Sequence, residues 1–262
     1  MSPIHYYRMD AASGTSETDL GSSPQNGTYQ NGFTLNATGI PALTDKAASF
    51  SGAANTRMRN SGGAGSVEGP SSTNGVGWTA LGWFNFASVA GEQAPFSRYS
   101  SGCYQWIVWM TGGKLEARLY NTCTGTQSSR IPGPAVNPNT WYLIGLGTTG
   151  QGNGNVNAEL CVNGVSAGTL TNVPVAPNSL ATTSTSVGGD ADSTYPANGA
   201  ADEFATLPSQ LGCATNQLSL YNCGIGNGSC PGAPSAMNVF DGRRELPQPR
   251  IFGLLREGIR AR

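Results

Sequence analysis

Aromatic and charged side chains crowd the stretch between Cys103 and Cys123, where Tyr104, Trp106, Arg118 and Tyr120 recur with strand-like spacing. Sugars stack their C–H faces on aromatic rings while a few polar groups fix their orientation. Trp83, Tyr104, Trp106 and Tyr120 with Arg118 offer that chemistry; a loop over residues 60–77 or a partner chain covering the face is the competing reading. Catalysis has thinner support. A Ser-His-Asp arrangement would need the sole histidine, His5, which sits among tyrosines in a strand-like run and reads as structural. A glycosidase needs two carboxyls about 5–10 Å apart; Glu116 with Glu159 is the pair to consider, and both read as solvated strand carboxylates. Six cysteines with no CxxC and one histidine disfavour zinc.

The element that must position the aromatic cluster is a β-hairpin turning at Gly112-Gly113-Lys114. A three-residue loop sets Met110 opposite Glu116, Val108 opposite Arg118 and Trp106 opposite Tyr120. Ile107, Trp109, Ala117 and Leu119 then form a core face, and Tyr104, Trp106, Glu116, Arg118 and Tyr120 an outer one. The same register faces Cys103 with Cys123, within disulfide reach. Cys213, Cys223 and Cys230 allow one further pair, and Cys161 has no evident partner.

Elsewhere Ile4–Met9, Ala47–Gly52, Trp78–Phe86, Trp141–Leu146, Val156–Val162, Val165–Leu170, Ser184–Gly188 and Gly199–Phe204 read as strands, and Gln217–Tyr221 as a short helix. Trp78–Phe86 is apolar on both faces, which suits a central strand covered on both sides. Asp10–Gly32 reads as turn-rich. Gly62-Gly63-Ala64-Gly65-Ser66 lacks the Lys-Ser/Thr and the helix that a phosphate cradle requires, and reads as a loop. Richness in Gly, Thr, Ser and Asn, with few Lys and Glu, suits short strands and many turns. A net charge of −1 implies no general attraction to nucleic acid or anionic membrane. The opening Met1–Asp10 shows no apolar signal-peptide core, and no transmembrane run occurs.

An ordered set of motifs resembles the laminin-G-like jelly roll of the concanavalin A-like lectin/glucanase superfamily. It comprises Tyr7-Arg8-Met9-Asp10, Asp19, Asn26-Gly27-Thr28, Ala48-Ser49-Phe50-Ser51-Gly52, the Trp83 strand, Asn139-Thr140-Trp141-Tyr142, Cys161-Val162-Asn163-Gly164, Gly188-Gly189 and Ala201-Asp202-Glu203-Phe204, closing with Leu218–Gly226. The resemblance implies an all-β fold: a two-sheet antiparallel jelly-roll sandwich over residues 1–226, followed by an extended C-terminal arm over residues 227–262. It also implies a structural Ca²⁺ held by Asp19 and Asp202, with loop carbonyls near Ser51-Gly52. The glucanase branch's Glu-x-Asp-x-x-Glu motif is absent.

The function expected from these readings is a non-enzymatic virion protein of a bacteriophage, a capsid decoration or tail adhesin displaying a glycan-binding jelly roll. Late-forming disulfides and the absence of a signal peptide motivate this. The C-terminal arm, with Ile251, Phe252, Leu254, Leu255 and Ile259 as apolar anchors among six arginines, would dock on other virion proteins, giving an oligomeric particle. The alternatives are an exported carbohydrate-binding module and a polysaccharide-degrading enzyme.

Overall fold

The computed structural model describes residues 3–43, 45–60, 69–100, 103–121, 128–176, 184–190 and 194–227. Two antiparallel sheets form a jelly-roll sandwich. In spatial order, sheet A runs β14 (Val165–Pro174), β13 (Asn155–Val162), β12 (Trp141–Gly152), β7 (Gly77–Phe86), β16 (Asn198–Leu207), β5 (Lys46–Ser51) and β4 (Phe33–Thr38). The short β1 (His5–Tyr7) also pairs with β16. Sheet B runs β11 (Ser128–Ala135), β10 (Lys114–Tyr120), β9 (Cys103–Thr111), β8 (Glu92–Ser100), β15 (Ser184–Val187), β6 (Arg57–Asn60), β3 (Gly27–Gln30) and β2 (Ser16–Glu17).

The main core lies between the sheets and includes Trp78, Phe84, Phe86, Leu146 and Leu160 from sheet A against Phe96, Trp106, Val108 and Leu119 from sheet B. Each such side chain contributes about 1.5–3 kcal/mol by leaving water. β7 is central, between β12 and β16, and is covered on both sides as its doubly apolar pattern implies. Its second face, Leu81 and Trp83, joins a smaller cluster outside sheet A with Leu143, Leu207, Leu211 and Leu220. A π-helical turn (Cys213–Gln217) running into α1 (Leu218–Gly224) seals this cluster, and Tyr221 stacks on Trp83 at 5.8 Å. The turn-rich stretch Asp10–Gly32 also contributes β2 and β3 to sheet B.

The hairpin register differs from expectation by one residue. Gly112 and Gly113 both adopt positive φ (55° and 74°), the geometry of a two-residue type I′ turn, so Thr111 pairs directly with Lys114. Leu115 then opposes Met110, Ala117 opposes Val108 and Leu119 opposes Trp106. Because side chains alternate, the slip exchanges the two faces of β9 and leaves those of β10 as expected. Trp106, Val108, Met110, Leu115, Ala117 and Leu119 point into the core, and Ile107, Trp109, Glu116, Arg118 and Tyr120 point outward. Tyr104 stays on the outer side because the β8–β9 ladder shifts register between the Arg98–Trp106 and Tyr99–Tyr104 pairs.

Cys161 bonds to Cys213, correcting the expectation that Cys161 lacks a partner. The bridge ties the segment before α1 to β13. The expected Cys103–Cys123 bridge lies outside the described residues, as does the proposed arm with Ile251, Phe252, Leu254, Leu255 and Ile259.

Candidate functional site

Sheet B turns one face to the core and the other away from it, and the register places a row of residues straight across the outward face. Arg59 pairs with Ser186, Ser186 with Ser97, Ser97 with Ile107, Ile107 with Arg118 and Arg118 with Arg130. The small serines in mid-row leave the larger side chains of neighbouring rows to shape the surface. On one flank, Tyr104 packs against Tyr99 and Tyr120, with ring centroids 5.0 and 5.4 Å apart. On the other, Trp109 packs against Tyr195 at 4.3 Å. The guanidinium carbon of Arg118 lies 3.5 Å above the Trp109 ring, and its nitrogens bond to Glu116. A cation so placed is attracted by the ring's negative face.

Polar contacts fix the rings. The Tyr104 hydroxyl donates to Asp190, whose other oxygen accepts from the Tyr195 backbone N–H at 2.8 Å. Arg57 donates to the Asp190 carbonyl (3.0 Å) and to Gln30 (2.8 Å), while Arg59 donates to Ser184 (2.7 Å). Burial, reinforced by Glu92, pushes the Tyr195 phenol above its ordinary pKa, so it is a neutral donor at physiological pH. Trp109 and Tyr120 are only 5% and 7% exposed; Tyr99, Tyr104, Glu116 and Tyr195 form the more open rim.

Of the residues singled out in the sequence for sugar binding, the structure gathers Tyr104, Arg118 and Tyr120 on this face. It does not place Trp106 or Trp83 there. Trp106 is fully buried and packs on Trp78 at 5.3 Å, a consequence of the one-residue slip. Trp83 faces outward from sheet A instead and lies under α1. Trp109, Tyr99, Tyr195 and Asp190 complete the cluster. Alternation would have found Trp109 had the turn been read as two residues long.

The expected metal ligands also separate. Asp19 is buried and its oxygens take hydrogen bonds from His5 Nδ1 (2.6 Å) and from the backbone of Tyr6, Gly21 and Gln25. Burial pushes its pKa up, but these bonds together outweigh burial and hold it below the usual carboxylate range. An ionised Asp19 only accepts, so His5 Nδ1 carries the proton and the histidine is structural. Asp202 instead meets Asp45 and Glu203, one ligand oxygen of each lying within 4.8 Å of the others. A shift in the β16–β7 register between Asp202 and Ala205, with Glu203 at φ 54°, aims both neighbouring carboxylates inward. The Ile40 N–H donates to Asp202 at 3.2 Å and the Tyr6 hydroxyl donates to Glu203. Burial pushes Asp202 and Glu203 well above the ordinary range, and Asp202 raises Glu203 further while Arg8 opposes this. Gly39 makes room: a Cβ there would lie 2.5 Å from an Asp45 oxygen and 2.9 Å from Asp202. Three clustered hard oxygens fit a Ca²⁺ ion.

The profile of the concanavalin A-like lectin/glucanases superfamily, in its laminin G form, matches residues 60–212, more than half of the chain. The chain belongs to this superfamily. No curated protein matches it in sequence. Among solved structures, the botulinum neurotoxin serotype D binding domain superposes with a TM-score of 0.61 at 11% identity, over 84% of this chain and 50% of that one. The serotype G binding domain gives 0.59 at 13% identity, over 84% and 50%. A structure described as "Cell entry of botulinum neurotoxin type C is dependent upon interaction with two ganglioside molecules" gives 0.60 at 12%, over 85% and 51%. The chain thus spans about half the length of these proteins, and the likeness concerns the fold.

Proposed function

We propose that this chain is a non-enzymatic glycan-binding module whose sugar site is the outward face of sheet B. The observation that carries this reading is the cluster of Trp109, Tyr99, Tyr104, Tyr120 and Tyr195, with Arg118 stacked on Trp109, outside the inter-sheet core. Aromatic rings rimmed by fixed polar groups suit the alternating C–H and hydroxyl surface of a sugar. Superfamily membership and the fold shared with a toxin whose description names gangliosides agree with this reading.

Two features favour binding over hydrolysis. Glu116 is engaged by Arg118 on sheet B, whereas Glu159 points outward from sheet A. Packed sheets lie about 10 Å apart, so carboxyls pointing away from each other across both sheets cannot flank one scissile bond.

The reading extends to display on a virion, supported by a C-terminal stretch beyond the family match that carries six arginines against Asp241, Glu245 and Glu257. It also includes a structural Ca²⁺ held by Asp45, Asp202 and Glu203, supported by their convergence beside Gly39. The direct test is a glycan array probed with wild type, Tyr104→Ala and Tyr195→Ala. Each substitution weakens binding to the retained glycan about two- to tenfold, the worth of one aromatic contact. Undiminished binding by both variants would defeat the assignment of this face.

A further inference from the structure

The opposite side of the molecule carries a second, differently built recess. On the outward face of sheet A, a groove of about 400 Å³ is lined by Thr149, Asn157, Glu159, Thr169, Thr171 and Gln210. That is within the range of about 300–1,000 Å³ typical of small-ligand sites. Gly147 on β12 stands opposite Glu159 on β13, and the Gln210 side chain lies where a Cβ at Gly147 would point.

One wall is the segment that crosses sheet A between β16 and α1. It is clasped on both sides of Gln210: the Thr79 hydroxyl donates to the Ser209 carbonyl (2.7 Å) and accepts from the Leu211 N–H (2.9 Å). Gln217 donates to the Leu211 carbonyl at 3.0 Å, and the Cys161–Cys213 disulfide pins the segment to β13. Gln210 is therefore held over Gly147, and a Cβ at Gly147 would sit 3.1 Å from its Cγ.

The hydrogen-bonding capacity left over in the groove is specific. The Gln210 carbonyl oxygen accepts from the Thr149 hydroxyl, which leaves its amide NH₂ as a donor. The Asn157 oxygen accepts from the Asn172 backbone N–H at 2.9 Å, which leaves its NH₂ likewise. Glu159, whose carboxylate lies within 4.8 Å of the Cys161 and Cys213 sulfurs, has no hydrogen-bond or ion-pair partner among the described residues, so it adds a free acceptor to the same lining. Thr169 and Thr171 are exposed hydroxyls on the adjoining strand β14.

We propose that this groove is a second binding site, for a neutral hydroxyl-rich ligand: the pyranose units of an uncharged saccharide. A sugar hydroxyl both donates and accepts. It can give its proton to Glu159 while taking one from the Gln210 or Asn157 amide, a pattern that vicinal hydroxyls repeat. The lone negative charge disfavours uronic, sialic or sulfated sugars, which would bring a second anion beside Glu159. The disulfide and the Thr79 clasp fix the donors before the ligand arrives, which lowers the cost of ordering them.

The test is titration of the ¹⁵N-labelled full chain with cellotriose, maltotriose, mannotriose and xylotriose, alongside electrophoresis through gels containing the matching polysaccharides. The expected result is that at least one neutral sugar shifts the side-chain amide signals of Gln210 and Asn157. Glu159→Ala and the groove-blocking Thr169→Arg then weaken that sugar roughly tenfold, whereas Tyr104→Ala on the opposite sheet leaves it unchanged. Shifts with the trioses assign a free oligosaccharide as sufficient; retardation only in the gels, relieved by Glu159→Ala and Thr169→Arg and kept by Tyr104→Ala, assigns a longer chain, and both support the site. No shift and no retardation with any of these sugars, or wild-type affinity in both groove variants, would overturn it. Shifts confined to Tyr104 and its neighbours would sustain the sheet B site and overturn this one.

Discussion

Replacing Trp106 by alanine should unfold the protein far more readily without acting on glycan binding directly. Trp106 is fully buried, packs on Trp78 at 5.3 Å and belongs to the inter-sheet core with Val108 and Leu119. Removing a buried indole costs about 3–5 kcal/mol through lost transfer energy and the cavity left behind. Trp109, further along β9 on the opposite face, is held by Tyr195 at 4.3 Å and by Arg118 at 3.5 Å. These contacts add about 1–3 kcal/mol to the burial of its own ring, so both substitutions destabilise and only Trp109→Ala acts on the glycan-binding face directly. Urea unfolding followed by tryptophan fluorescence measures the first effect. At a slope near 3 kcal/mol/M, Trp106→Ala should lower the midpoint by about 1–1.7 M. If Trp106→Ala costs under about 1 kcal/mol while abolishing glycan binding, the hairpin register is wrong and Trp106 belongs to the outer face.

Three further outcomes follow from the geometry. If Asp45, Asp202 and Glu203 hold Ca²⁺, excess chelator lowers the melting temperature of wild type, since a ligand bound only to the native state stabilises it by mass action; Asp202→Asn should be insensitive to both chelator and added Ca²⁺, and a chelator effect of wild-type size in that variant would refute the site. Removing the Cys161–Cys213 bridge, which closes a 52-residue separation, should cost about 4 kcal/mol by loop entropy, measured on the Cys161→Ala/Cys213→Ala variant in urea; a loss under about 1 kcal/mol would show that the α1 segment docks without it. Because Asp19 has a lowered pKa in the fold, its stabilisation is present above the ordinary carboxylate pKa and is lost as pH falls through the folded value. The stability gap between wild type and Asp19→Asn should therefore stay constant above the ordinary carboxylate range and narrow as pH falls below it, and a gap that never narrows would contradict the network around His5.

The strands with strong patterning were legible in the sequence, and the faces of the hairpin were not. β7 announced itself by large apolar residues on both faces, and β13–β14 by Asn163-Gly164, whose φ values of 54° and 76° form the tight turn that such a dipeptide favours. β8 and β11 escaped because Pro95, Pro132 and Pro134 interrupt them, and β3 because Gly27–Gln30 is too short to show alternation. In β9, Ile107 and Trp109 alternate with Trp106, Val108 and Met110, so both faces are apolar and alternation could not select the inner one. The turn geometry decided it. The site was legible in part for the same reason: Tyr104, Arg118 and Tyr120 are outward as read, while Trp106 exchanged places with Trp109. Asp45 and Tyr195 reach their partners only through long-range pairing, which local spacing does not encode.

The claim that sheet B presents a glycan-binding face is tested most directly by mapping a bound sugar. ¹⁵N-labelled protein would be titrated with whichever glycan an array retains. Binding at this face predicts saturable shifts at Tyr99, Tyr104, Arg118, Tyr120 and Tyr195, together with loss of the indole signal of Trp109 at its free position. Saturable binding that leaves all of these signals unmoved would contradict it.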